Sequence, residues 1–233
     1  MTSPDPDLPA VWTASQERTL AIVGDLSAED AERTVPATDA WTVRQLLSHM
    51  VGVGDDALKD AVAEDLSPAW TEHHVQDRKD KSLTEIAQEW RDLAPKVREL
   101  LATGPAEEVG SLAVDAYWHE QDLRTAFPHV SPVTEDPALQ MALEAFGGGL
   151  GDRIKEKGLP ALRLTAGSWT TVVGDGAAQA EVQADPFELG RALSGRRSPA
   201  QVRAFSWTGN PEPYLPIFSM FGDLRPTDLV EQG

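Results

Sequence analysis

Two residues on one predicted helix have the types and the spacing that a shared metal ion requires. Asp115 and His119 lie four positions apart, so an α-helix places their side chains one turn apart on one face. A carboxylate oxygen and an imidazole nitrogen both bind divalent transition metals. Acid–histidine pairs at this spacing also form ordinary exposed ion pairs, and the spacing alone leaves both interpretations open. Asp122 lies three positions beyond His119 and is placed to fix the tautomer of that ring.

A further histidine, His49, lies at the margin of the apolar face of another predicted helix, near Leu46 and Val53. A histidine in that position is compatible with a metal ligand and with a structural residue of the core, and its surroundings do not distinguish the two. The pair His73-His74 lies in a stretch that we predict to be a polar loop. A position at the rim of the cleft stays open for this pair, but we expect both of these rings to be exposed to solvent.

Recognisable start signals precede two of the amphipathic helices that must position these residues. Thr42 and Gln45 form the sequence pattern of a capping box at the start of the helix that carries His49. Ser82 and Glu85 form the same pattern at the start of the next predicted helix. Apolar residues then recur at helical spacing in both segments, so we predict that each forms one buried helix face.

The predicted architecture is α+β, with a helical N-terminal domain over residues 1–158 and a small α+β domain over residues 159–233. After Pro160, short runs of β-branched or alternating residues are separated by glycine-rich turns, which is the pattern of short strands. Further helices are predicted over residues 9–24, 111–127 and 136–157, the last of which contains Gly147-Gly148-Gly149, a run that disfavours a continuous helix.

The chain contains no cysteine and carries a net charge of −18. It therefore has no disulfide, no cysteine metal ligand and no cysteine nucleophile, so a thiol used in catalysis must come from outside the chain. The excess of negative charge opposes binding to nucleic acid or to anionic membranes. No apolar run is long enough for a membrane span and the N-terminal residues lack the features of a secretory signal, so we expect a cytoplasmic protein.

Four segments, in this order, resemble the mycothiol-dependent maleylpyruvate isomerase family. The segment Trp41–Gly52 is similar to the family's W-T-V-x-x-L-x-x-H-x-x-G signature, and Asp115–Leu123 resembles its second signature, an acid, three residues, a histidine and then Asp-Leu. Leu189–Arg196 and Phe205–Asn210 resemble a helix ending in Gly-Arg and a closing strand in the family's C-terminal domain, which is related to sterol carrier proteins. The resemblance covers nearly the whole chain and implies a DinB-like metal-binding four-helix bundle followed by that domain.

The resemblance implies a ligand set for a divalent metal, usually zinc in this family. Carried over to the matching positions, the ligands are His49, Asp115 and His119. The family's acid is typically glutamate, so Asp115 is one methylene shorter, which can alter the preference for the metal or weaken its binding. Three protein ligands leave at least one coordination position open, the arrangement of a catalytic rather than a structural zinc site.

The resemblance also implies a cofactor and a reaction. The cofactor is mycothiol, a small sugar-linked thiol, whose metal-bound thiolate attacks an electrophilic small molecule, either to isomerise a double bond or to remain attached to the product. Arg196, which matches the family's Gly-Arg, is implied to hold a substrate carboxylate or part of the thiol cofactor by bidentate hydrogen bonds, and Arg197 is the substitute for this role. The alternative that both are solvated loop arginines stays open. Two other functions stay open: a metal-dependent hydrolase that uses metal-bound water, and a non-catalytic protein that binds small molecules.

Overall fold

The polypeptide forms two units, one of residues up to Val133 together with Glu231 and one spanning Thr134–Val230, in a computed structural model that describes residues 6–63 and 67–231. The first unit is helical and the second combines helices with a sheet, which confirms the predicted α+β class. By its contacts, the helix that precedes residue 158 belongs to the second unit, and the domain boundary expected between residues 158 and 159 stays a prediction. Among the described residues, no helix is long and apolar enough to cross a membrane.

Among the described residues of the first unit, four long helices form its body, with a shorter helix laid against one of them. The helices are α1 (Leu8–Gly24), α2 (Ala28–Ala31), α3 (Val43–Leu58), α4 (Pro68–Asp77), α5 (Leu83–Thr103) and α6 (Ala106–Arg124), with a 3-10 turn at Pro36–Thr38 between α2 and α3. Helix α1 packs against α5 and α6, and α3 packs against α4, α5 and α6.

Both predicted capping boxes are present, and the first of them sets where α3, the helix that carries His49, begins. The Thr42 side chain accepts from the Gln45 backbone N–H, and the Gln45 side chain accepts from the Thr42 backbone N–H. Such a cap satisfies backbone donors that the first helical turn leaves unpaired, and is worth about 1 kcal/mol. Leu46 and Leu47 are then fully buried in the bundle core. Cap and core together fix the rotation of α3, and hence the direction of His49.

Helix α4 replaces the polar loop that the sequence predicted around the second histidine pair. Ser67 caps its first turn and Pro68 occupies the first helical position, where the missing N–H is harmless. The expectation of two exposed rings is wrong for His74, which is 1% exposed, whereas His73 is exposed as predicted. The two rings differ because α4 packs one face against α3 and presents the other to solvent.

The second unit contains a four-stranded sheet and three helices. The elements are α7 (Pro137–Glu156), β1 (Leu162–Ala166), β2 (Trp169–Val173), β3 (Ala180–Ala184), α8 (Pro186–Leu193), α9 (Pro199–Arg203) and β4 (Ser206–Thr208), followed by a 3-10 turn at Leu215–Ile217. The strand order is β2-β1-β3-β4. Strands β1 and β2 form an antiparallel hairpin, β1 pairs in parallel with β3, and β3 pairs antiparallel with β4. Helix α7 packs against α8 and β2.

Helix α7 runs unbroken through its glycine run, although the low helix propensity of glycine disfavours a continuous helix there. The glycines of this helix allow close packing on its inner side. A Cβ atom at Gly151 would lie 3.2 Å from the Cβ of Val173 and 3.3 Å from the backbone nitrogen of Gly174. Gly148, by contrast, is exposed and has no neighbour within 4 Å of such an atom.

We predict opposite outcomes for alanine at Gly148 and at Gly151. Gly148→Ala improves helix propensity without a clash and should raise the thermal unfolding midpoint by about 2 °C. Gly151→Ala gains the same propensity, but its methyl group presses on β2, so its midpoint should not exceed that of the wild type. Circular dichroism melts of the full chain measure both midpoints, and an equal increase in the two variants would contradict the close packing of α7 on β2.

Candidate metal centre

Helices α3 and α6 bring the three sequence-predicted ligands together. One ligand atom from each of His49, Asp115 and His119 lies within 4.8 Å of the other two. Asp115 Oδ1 is 3.5 Å from His119 Nε2 and 3.9 Å from His49 Nε2. Within residues 6–63 and 67–231, no other set of three histidine and acidic side chains converges this closely.

The donor set and its spacing fit a divalent transition metal. Metal–ligand bonds of about 2.0–2.2 Å place neighbouring donor atoms roughly 3 to 3.5 Å apart, so small side-chain movements suffice to bring the observed separations into this range. Two imidazole nitrogens and one carboxylate suit zinc and related first-row ions. The shorter side chain of Asp115 does not withdraw its carboxylate from the two histidines, since one oxygen lies near both rings.

Asp122 orients the ring of His119, as the spacing of the two residues predicted. Its Oδ2 lies 3.0 Å from His119 Nδ1, and its side chain is fully buried. Because a carboxylate only accepts hydrogen bonds, His119 Nδ1 carries the proton and donates it. The lone pair of this ring is therefore on Nε2, the nitrogen that lies beside Asp115.

The second ring nitrogen of His49, Nδ1, contacts His74, which was not predicted from the sequence to be functional. His49 Nδ1 lies 3.1 Å from His74 Nδ1, and His74 Nε2 lies 2.9 Å from Asp56 Oδ2. Trp70 Nε1 donates to the same Asp56 oxygen at 2.6 Å. One sequence signal was available for Asp56: it lies seven positions after His49 and so returns to the same face of α3.

Aromatic rings flank the three ligands and leave the Asp115 side most open. The ring centroid of Trp41 lies 4.9 Å from that of His49 and 6.2 Å from that of His119. The side chains of His49, His119 and Asp115 are 4%, 12% and 27% exposed, respectively. A small molecule in solution therefore reaches the three ligands most directly past Asp115.

The two arginines predicted to hold anionic groups belong to the second unit, after helix α8. Arg197 is 1% exposed, and its Nε and Nη2 donate to the two carboxylate oxygens of Glu188 at 2.6 and 2.8 Å. These hydrogen bonds hold the pKa of Glu188 below its ordinary value. Arg196 is half-buried, and its Nη1 donates to the Ser194 carbonyl at 2.6 Å. Of the two, Arg196 is the less buried residue.

Comparisons with known proteins bear on the fold and the family. The family profile described as the DinB superfamily matches residues 12–131, which include all three ligands. The crystal structure of the mycothiol-dependent maleylpyruvate isomerase is similar at a TM-score of 0.55 and 10% identity, over 89% of this chain and 96% of that one. A histidine-to-alanine variant of that enzyme is similar at a TM-score of 0.54, with the same identity and coverage. A comparison with curated proteins gives no significant match.

Glu188→Gln tests whether Arg197 serves mainly to stabilise the second unit. Since the folded-state pKa of Glu188 is lowered, its contribution is present above the unfolded-state pKa and disappears as the pH falls through the folded-state value. We expect the variant to lose about 1 to 2 kcal/mol at pH 7, because its neutral amide offers the buried Arg197 guanidinium one acceptor oxygen in place of a charged carboxylate with two. The difference from the wild type should shrink below about pH 4, and urea unfolding at several pH values measures it.

Glu181→Gln is the matched control for this comparison. Glu181 is a half-exposed residue of β3, with the same 41% side-chain exposure as Glu188, and its carboxylate lies 3.9 Å from the Arg163 guanidinium. The loss of such a surface pair should change the free energy of unfolding by less than about 0.5 kcal/mol. A Glu188→Gln effect that equals the control, or that is independent of pH, would contradict the structural role of Arg197.

Proposed function

Since the chain belongs to the DinB superfamily, we propose that it is a metal-dependent enzyme that uses the thiol mycothiol to isomerise an electrophilic small molecule or to modify it. The observation that carries this proposal is the convergence of His49, Asp115 and His119 at a site that is open past Asp115. Three protein ligands are the number found in catalytic zinc sites, where a further coordination position serves the reactant.

We propose zinc as the ion that the three side chains hold. When bound, zinc supplies Lewis-acid chemistry, which lowers the pKa of a coordinated thiol. The chain's own residues prepare the site for it. Asp122 directs the His119 lone pair towards the other ligands, and Trp41 covers the flank of both histidine rings and restricts water there.

The thiol in this proposal is a separate molecule, because the chain has no cysteine. Mycothiol is supported by the signatures in Trp41–Gly52 and Asp115–Leu123 and by the structural similarity to a mycothiol-dependent isomerase. We propose Arg196 as the residue that holds a substrate carboxylate or part of the thiol cofactor. Arg196 is preferred to Arg197, whose guanidinium is buried against Glu188.

Removal of one ligand tests the metal site. Purified wild-type protein should bind about one equivalent of zinc, and His119→Ala should weaken binding by more than about 100-fold, because only two ligands remain. His73→Ala is the control, since it removes an exposed histidine of α4 outside the ligand set. Competition with a chromophoric chelator gives the affinities, and elemental analysis gives the stoichiometry. Undiminished zinc binding by His119→Ala would refute the proposed ligand set.

A thiol-dependence assay tests the proposed reaction. Zinc-loaded protein is given maleylpyruvate, or a general electrophile such as a haloalkane, with mycothiol, with a different small thiol, or with none. We expect turnover with mycothiol, and His119→Ala should abolish it. Mass spectrometry and NMR of the product distinguish a trans isomer from a stable thioether, and hence an isomerase from a transferase. Equal turnover without any thiol would favour a hydrolase and would overturn the proposal.

A further inference from the structure

We infer that Asp56 and His74 are positioning residues that set the tautomer of His49 and keep its Nε2 lone pair available to a metal ion. Both residues lie outside the proposed ligand set, on α3 and α4, and their role in metal binding rests on the proposed function. Three features of the structure support it: a run of hydrogen bonds, the burial of that run, and a glycine that makes room for it.

The hydrogen-bonded chain has only one consistent direction when both rings are neutral. Asp56 Oδ2, 2.9 Å from His74 Nε2, can only accept, so His74 carries its proton on Nε2. His74 Nδ1 then has a lone pair and accepts from His49 Nδ1 across 3.1 Å. His49 must therefore carry its proton on Nδ1. Its lone pair is left on Nε2, the atom beside Asp115.

The hydrogen-bonded residues Asp56, His74 and His49 are buried, so water does not readily take the place of one of them. The side chains of His74 and Asp56 are 2% and 12% exposed. Trp70 covers the pair: its ring centroid lies 4.6 Å from that of His74, and its Nε1 donates to the same Asp56 oxygen. Hydrogen bonds in such low-dielectric surroundings are stronger than in water and hold a single arrangement.

Gly52 makes the approach of His74 possible. A Cβ atom at this position would lie 2.3 Å from His74 Cγ and 2.4 Å from its Cδ2, well inside contact distance. His49, Gly52 and Asp56 follow one another at helical spacing on one face of α3, so the ring lies on the bare backbone between its two partners. This role accounts for the closing glycine of the Trp41–Gly52 signature, which the ligand set leaves unexplained.

The two histidine ligands are thus oriented by different means. Asp122 acts directly on His119, whereas Asp56 acts on His49 through the ring of His74. Outer hydrogen-bond partners of metal-bound histidines typically change metal affinity by about 10- to 100-fold. We therefore expect the loss of His74 to weaken zinc binding by that factor while the three ligands remain in place.

His74→Phe is the principal test, because it keeps a ring of similar size on Gly52 and removes both nitrogens. Histidine ¹⁵N chemical shifts of the metal-free protein at pH 8 report which nitrogen of His49 is protonated. The wild type should show the Nδ1–H tautomer, and the variant a mixture with Nε2–H. Zinc affinity should fall by about 10- to 100-fold, and the stoichiometry at saturating zinc should stay at one.

Asp56→Asn and Asp55→Asn form a matched pair that supports the test even if His74→Phe fails to fold. Asp56→Asn replaces an obligate acceptor by an amide and should shift the His49 tautomer in the same direction. Asp55→Asn neutralises the neighbouring acid, which pairs with Lys59 and lies 3.8 Å from the Arg78 guanidinium. Neither contact involves the ring of His49 or His74, so this variant should leave the tautomer and the zinc affinity unchanged. The inference is overturned if wild-type His49 carries its proton on Nε2, or if Asp56→Asn matches Asp55→Asn in both measurements.

The two readouts separate this inference from the proposed function. The tautomer is measured without metal, so a wild type that binds no zinc would refute the metal site, while the tautomer shifts would still support or refute the Asp56–His74 chain. Conversely, tight zinc binding with an unaltered His49 tautomer in His74→Phe would refute the positioning role of Asp56 and His74 and leave the proposed metal site intact.

Discussion

The site depends on the close packing of α3 against α6, because its donors come from both helices. His49 lies on α3, and Asp115 and His119 lie on α6. Neither helix alone assembles three ligands, and an acid–histidine pair on one helix face is an ordinary surface feature. Burial of apolar residues such as Leu46 and Leu47 holds α3 in place, and the general hydrophobic packing of the bundle thereby sets the separation of the donor atoms.

Buried charge on α6 serves the same positioning. Glu120 is fully buried, and its carboxylate pairs with Arg18 of α1 at 2.7 Å and with Arg124 of α6 at 2.6 Å. Such a pair adds little net stability, but a break in it would leave a buried charge without a partner. It therefore favours one rotation of α6 relative to α1. With Glu120 directed at α1, the face that carries His119 is directed at α3.

The sequence predicted those features that depend on local chemistry. The capping boxes at Thr42 and Ser82 are present because they need only residues three positions apart. The pairing of Asp115 with His119 follows from helix geometry. His49 was predicted as the third ligand only because its segment resembles a family signature. The stretch before α5 was predicted to be a polar loop but contains α4. The prediction missed this helix because it has few apolar residues, and its stability comes from packing on α3.

Contacts between distant segments could not be predicted from the sequence. The burial of His74 depends on the missing side chain at Gly52, which lies 22 positions earlier in the chain. The glycines of α7 carried the same kind of ambiguity, because a glycine lowers helix propensity and also permits close approach. Only the position of β2 shows that close approach is the role of Gly151. In both places the sequence shows a glycine but does not show which distant residue packs against it.

The aspartate at position 115 shows how these constraints combine. An aspartate has one fewer rotatable bond than a glutamate, so its carboxylate loses less conformational freedom when it is held in place, but it reaches less far from the helix. Its oxygen nevertheless lies 3.5 and 3.9 Å from the two histidine nitrogens, so the helix spacing supplies the reach that the side chain lacks. The geometry of the site is therefore determined more by the α3–α6 packing than by side-chain adjustment. Asp122 fixes the tautomer of His119, the hydrogen bonds from Asp56 through His74 fix that of His49, and the Asp115 carboxylate has little conformational freedom. The three side chains therefore form a preorganised set of donor atoms.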